Sequence, residues 1–117
     1  MTADVPAGSV LRDSLLTRVA GDAALASAMA SLFIDECPRL LADVREAVAA
    51  QDAEALAQAA HALRGSVSNF EAPAATRIAG RLEQLGRAGD LQPSAEAVRE
   101  LETELERLLP ALREVVA

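Results

Sequence analysis

Apolar residues recur along this chain at every third or fourth position, in runs broken by polar turns, and that spacing argues for helices rather than strands. Val10, Leu11, Leu15 and Val19 predict a short first helix over 10–20, with Ser9 as its cap and Gly21-Asp22 closing it. A longer helix is predicted over 23–50. Leu25, Met29, Leu32 and Phe33 form its first apolar stripe; Leu40, Leu41, Val44 and Val48 form its second. Pro38 stands between the two stripes, where a missing N–H and a clash with the preceding turn predict a kink or a break.

Asp52 is placed to cap a third helix, 53–70, which ends in the connection Glu71-Ala72-Pro73. A fourth helix is predicted over 74–87 on Ala75, Ile78, Leu82 and Leu85, its end marked by Gly86 and Gly89. Pro93 suits the first position of a fifth helix. That helix carries Val98, Leu101, Leu105, Leu108, Leu112 and Val115, the alternating three-four seam of a packed bundle, with Pro110 bending its last turns. Short links favour antiparallel neighbours. The expected fold is therefore all-α: an antiparallel up-down four-helix bundle with a short extra N-terminal helix. Residues 1–8, which include Pro6 and Gly8, are expected to be disordered, and 9–117 to form a single domain.

Composition supports this reading. Of 117 residues 51% are hydrophobic, so a core can form, and with two Phe, no Trp and no Tyr that core is aliphatic. The net charge is −7 and every basic residue is arginine, with no basic run. Such a chain is a poor nucleic-acid binder. No apolar stretch is long enough to span a bilayer, and MTADVPAGSV lacks the basic and apolar regions of a signal peptide, so a cytoplasmic setting is expected. The lone cysteine, Cys37, has no internal disulfide partner and is expected to be buried and inert.

The chain has one histidine, His61, in the stretch AHALRGSVSNF. In the third helix Leu56, Ala60, Leu63, Val67 and Phe70 fall within about 40° of one another on the helical wheel, and His61 lies about 140° away. Its neighbours there are Ala57, Gln58, Arg64, Gly65 and Ser68, none of them large and apolar. Gly65, one turn on, weakens a helix by about 1 kcal/mol against alanine, and makes sense where another surface must approach the ring. Arg64 can bring a permanent positive charge to any anion placed on the imidazole. One histidine and one cysteine are too few for a typical zinc site, and no glycine-rich phosphate loop or nucleotide motif exists, so no metal, no cofactor and no autonomous kinase activity are expected.

AHALRG resembles the signature of histidine-containing phosphotransfer (HPt) domains: an alanine-histidine pair, two residues, a cation, then glycine. FIDECPRLLADVREAVAAQD is similar to that family's second helix with its midway proline, and LEQLGRAGDL to its fourth helix and following loop. Arg64 replaces the family's usual lysine. Glu71-Ala72 replaces a frequent glycine-alanine after the histidine helix, which implies a differently shaped turn. The resemblance implies a phosphorelay intermediate. A receiver domain of a response regulator or hybrid kinase docks near His61 through Ala57, Gln58, Gly65 and Ser68, and the phosphoryl group passes from its aspartate to the ring and onward to another receiver. Imidazole suits this work, since it offers a neutral nitrogen nucleophile at cell pH. Arg64 would stabilise the transferring charge, and the metal ion would belong to the receiver. No small-molecule substrate is implied. Two readings compete: a helical adaptor that is never phosphorylated, and a small hydrolase or lyase with His61 as base.

Overall fold

The computed structural model describes residues 8–116, and every regular element among them is an α-helix: α1 Gly8–Arg18, α2 Ala23–Ala49, α3 Ala53–Val67, α4 Pro73–Ala88 and α5 Ser94–Arg113. Local chemistry sets the boundaries. Asp22 and Asp52 precede α2 and α3, and each side chain accepts the backbone N–H three residues on, at 3.0 Å. Gly89, at φ +72°, closes α4 in the left-handed conformation that glycine adopts without a Cβ penalty.

Helices α2, α3, α4 and α5 pack in that cyclic order, each on the next, with α5 returning to α2. Connections of three to five residues join them, as an up-down bundle requires. α1 lies across α5 and α2 and adds Leu11 and Leu15 to the core. At 1.5 Å per residue α2 alone is about 40 Å long, and it sets the longest dimension of the chain, 42 Å. The rings of Phe33 and Phe70 meet at 5.4 Å and close the core where α3 ends.

Several expectations are corrected. The buried stripe of α2 is Ala26, Ala30, Phe33, Cys37, Leu40, Val44 and Ala47. This four-three seam runs unbroken through Pro38; it keeps Phe33, Leu40 and Val44 of the predicted stripes and replaces Leu25, Met29 and Leu32 by the positions one residue on, about 100° of rotation. Leu25 (46% exposed) and Leu32 (59%) are left facing solvent. Pro38 does not break α2, because one lost hydrogen bond is outweighed by buried residues on both sides of it. α5 likewise continues through Pro110 to Arg113. Val10 is exposed rather than inward, α1 starts before Ser9, and Pro93 precedes α5 instead of opening it. Gly8 is helical; the rest of the segment expected to be disordered, residues 1–7, lies outside the described residues. Cys37 is buried as expected, and burial raises its thiol pKa.

Candidate functional site

α3 ends at Val67, not Phe70, so Gly65 lies in its last turn rather than mid-helix. Leu56, Ala60, Leu63 and Val67 are fully buried and fix the helix's rotation. His61 and Arg64 then fall on the flank that borders α4. On α4 the buried stripe is Ala75, Ile78, Ala79, Leu82 and Gly86, and one charged residue, Glu83, sits within it at 2% exposure. Two glycines shape this crossing. A Cβ on Gly86 would lie 2.6 Å from the Ala57 nitrogen and 2.8 Å from the Ala53 oxygen, so the two backbones are in contact there. A Cβ on Gly80 would come within 3.3 Å of Arg64 Cδ, so its absence seats the arginine's stem.

Glu83 is the hub of the site. Its Oε1 accepts from Arg64 Nε at 2.8 Å. Its Oε2 lies 3.1 Å from His61 Nδ1 and also accepts from Arg87 Nη2. Arg64 Nη2 is 3.4 Å from the same imidazole nitrogen. A carboxylate taken out of water must be paired, and here two guanidiniums and a ring N–H satisfy it. The hydrogen bond from Arg64, aided by those from His61 and Arg87, outweighs burial and holds the Glu83 pKa near 2, down from 4.5. Glu83 is therefore an anion at any physiological pH.

That anion sets the imidazole tautomer. Two groups compete for Nδ1: Arg64 Nη2, a donor at 3.4 Å, favours a lone pair there, and the Glu83 carboxylate, closer at 3.1 Å, favours a proton, which turns its contact into a charge-assisted bond. Nε2 then carries the free lone pair, on a side chain 62% exposed. The site is thus an accessible nitrogen nucleophile, oriented from behind by a buried carboxylate and flanked by two guanidiniums. Before the ring is counted, the three charged side chains sum to one positive charge, which favours an anion arriving in front of it.

The single-helix wheel placed His61 opposite the core. The ring is indeed exposed, but its Nδ1 edge rests on α4, a neighbour that no wheel includes. Arg64 does not swing freely, since Glu83 holds it. Gly65 is exposed with open space around it. Ser68 caps α3, its hydroxyl donating to the Gly65 carbonyl at 3.0 Å. Ala57 is half-buried under Gly86. Gln58 turns to the other side of α3, toward Asp43 and Glu46 of α2. The turn after α3 needs no left-handed residue at Glu71, whose carboxylate instead accepts from Ser14 of α1 at 2.7 Å.

Sequence reasoning missed Glu83, Arg87 and Gly80. A signal existed: a carboxylate inside the apolar stripe Ile78-Ala79-Leu82, glycines three residues to either side, and an arginine one turn on. Among the described residues no three His, Cys, Asp or Glu side chains converge as a metal site, and no helix is long and apolar enough to cross a membrane. A family model, the Hpt domain, matches residues 28–111. No curated protein and no solved structure matches the chain.

Proposed function

The chain belongs to the Hpt domain family, phosphotransfer modules of two-component signalling, and on that premise we propose that His61 carries a phosphoryl group between receiver-domain aspartates. One observation carries the assignment: the only histidine of the chain presents a free Nε2 beside two arginines, with its other nitrogen held by Glu83. Nε2 attacks phosphorus in line. Arg64 and Arg87, one α3 residue and one α4 residue, offer charge to the equatorial oxygens, in a reaction that depends mostly on positioning and electrostatics. The module acts as a phosphocarrier without kinase activity of its own, and the metal ion is the receiver's.

The receiver's footprint on this reading surrounds Gly65, whose missing side chain leaves room beside the ring. It extends to a groove with an apolar lining of Met29, Leu32, Phe33 and Phe70, edged by Glu36 and by Ser66 and Asn69, the chain neighbours of Gly65 and Ser68. Exposed Leu32 forms its rim. The footprint belongs to the cytoplasmic face of signalling, where receivers reside. The structure offers less to the competing readings: a bare adaptor has no use for a buried carboxylate aimed at an exposed imidazole, and a hydrolase needs a second reacting group within reach.

The test is incubation with a receiver domain carrying radiolabelled aspartyl phosphate. The parent chain should take up label that is acid-labile and base-stable, whereas His61→Gln, equally helical, should take up none. Label on the His61→Gln variant would end the assignment.

A further inference from the structure

We propose that Arg18 of α1 with Arg77 and Arg81 of α4 forms a cationic strip that docks an acidic surface of the phosphorylated receiver, selecting that receiver and orienting it over His61. This rests on His61 as the phosphoacceptor and adds the chemistry of the partner's surface.

The chain is acidic overall, at −7, but its charge is unevenly spread. α4 carries Arg77, Arg81 and Arg87 against one carboxylate, and that carboxylate, Glu83, is buried and already shared by His61, Arg64 and Arg87. α5, by contrast, carries five glutamates against three arginines. The end of α1 lies beside the start of α4, where Arg18 and Arg77 frame a groove over Phe70, Ala72, Pro73 and Thr76. Glu71 also lines it, but its carboxylate accepts from Ser14 and pairs with neither arginine. Arg81 follows Arg77 one turn on. Among the described residues Arg18, Arg77 and Arg81 are exposed and make no ion pair or side-chain hydrogen bond. No internal pair has to break before a partner's carboxylate meets them.

The strip is continuous with the footprint around His61. Phe70 lines both this groove and the one that holds Met29 and Leu32. Arg77 precedes Glu83 by six residues, about 9 Å along α4, and Glu83 touches the imidazole. A partner that buries about 800 Å² of this surface covers a patch roughly 30 Å across, so one that reaches Nε2 also covers Arg77. On the other flank of α3 the sign reverses. Asp43, Glu46 and Asp52 line the alanine-rich groove between α2 and α3, no arginine lines it, and Arg39 pairs with Asp43 alone. An acidic partner is drawn toward α4 and turned away from α2, which fixes one orientation over the ring.

The strip also suits selection. The family match covers residues 28–111, so Arg18 and the helix that carries it lie outside it. Contacts that tell one receiver from another must lie beyond the groups that act on phosphorus. Like charges placed opposite one another cost affinity, so a receiver with a basic surface is rejected at the place where an acidic one is held. A nucleic-acid backbone is anionic too, but three guanidiniums release few counterions, and the acidic groove lies alongside.

The experiment measures single-turnover transfer from a panel of radiolabelled receiver domains to the full-length chain. It is run at about 0.1 and 1 M salt, where charges are felt over about 10 Å and 3 Å. For the receivers that charge the parent fastest, Arg77→Glu and Arg18→Glu should each slow transfer at low salt by about three- to tenfold, and high salt should remove most of the difference. Arg99→Glu makes the same charge change at an exposed residue of α5 and should cost less than about twofold. Phosphoramidate, a small phosphodonor that needs no receiver, should label His61 in every variant within about twofold of the parent rate, because no surface has to dock. Equal losses in Arg77→Glu and Arg99→Glu, or a parent rate that does not fall with salt, overturn the proposal, and the salt series stands even if Arg77→Glu fails to fold. Tighter binding of the parent to duplex DNA than to any receiver also overturns it. A parent that phosphoramidate labels but no receiver charges refutes the relay reading, and the docking strip with it.

Discussion

Two helical glycines should answer the same substitution with opposite signs. Gly65 and Gly86 lie in the last turns of α3 and α4, and alanine improves helix propensity at either site by up to about 1 kcal/mol. Beyond that they differ. A Cβ at Gly65 meets nothing within 4 Å, so Gly65→Ala should raise stability by about 0.5–1 kcal/mol. A Cβ at Gly86 would lie 2.6 Å from the Ala57 nitrogen, 2.8 Å from the Ala53 oxygen and 2.9 Å from the Ala57 Cα. All three are backbone atoms, so no side chain can rotate away and α4 must move off α3. Overpacking of this kind costs about 1–3 kcal/mol. Propensity cancels between the two variants, and the gap between them isolates the steric cost. At about 4 °C per kcal/mol for a chain of this size, Gly65→Ala should melt some 4–12 °C above Gly86→Ala. Circular dichroism at 222 nm with thermal and urea unfolding measures this. Equal melting temperatures, or a more stable Gly86→Ala, would refute the backbone contact on which the position of Glu83 depends.

Arg64→Ala should slow transfer from a phosphorylated receiver more than it weakens receiver binding. The loss should fall between about 1 kcal/mol for an exposed ion pair and 3 kcal/mol for a charge-assisted bond once the receiver excludes water, and Arg64→Lys should recover most of it; single-turnover rates against binding by calorimetry check this. Leu32→Asp should weaken receiver-dependent phosphorylation while phosphoramidate labels His61 at the parent rate, and loss of both would mean that the fold has been damaged instead. Gly65→Gln should fold like the parent yet slow transfer, because it fills the space beside the ring; a normal rate would remove Gly65 from the docking surface. Glu83 has its pKa lowered on folding, so its contribution to stability is present in full above pH 4.5 and is lost as pH falls toward about 2. The stability advantage of the parent over Glu83→Gln should shrink across that window, as read by urea unfolding at a series of pH values.

The core of α3, α4 and α5 was legible in the sequence because Leu56, Leu63, Leu82, Leu101, Leu105 and Leu108 are large residues at strict helical spacing. α2 misled because its inward seam is rich in alanine: Ala26, Ala30 and Ala47 are buried while Leu25 and Leu32 are not. Before Phe33 hydrophobic bulk pointed to the wrong face, while Phe33, Leu40 and Val44 were read correctly, and only the continuous four-three register separates the two. His61 and Arg64 were legible because a unique residue stood on a cleared face. Glu83 was not, since two of its three partners, His61 and Arg64, come from another helix 19 to 22 residues earlier, and pairing between helices depends on the rotation of both. The same limit explains Gly86. As a sequence mark it resembled a helix end; in the fold it is the point where two backbones touch.

The central claim is that His61 both receives and gives up the phosphoryl group, and a pulse-chase tests it most directly. The chain is loaded from a radiolabelled receiver, separated from it, and mixed with a second, unlabelled receiver. Label should map to His61 after the pulse and then leave it as label appears on the second receiver's aspartate, with the parent chain recovered unmodified. Label that never reaches His61, or that reaches it and leaves only as inorganic phosphate with every receiver tried, would contradict the account.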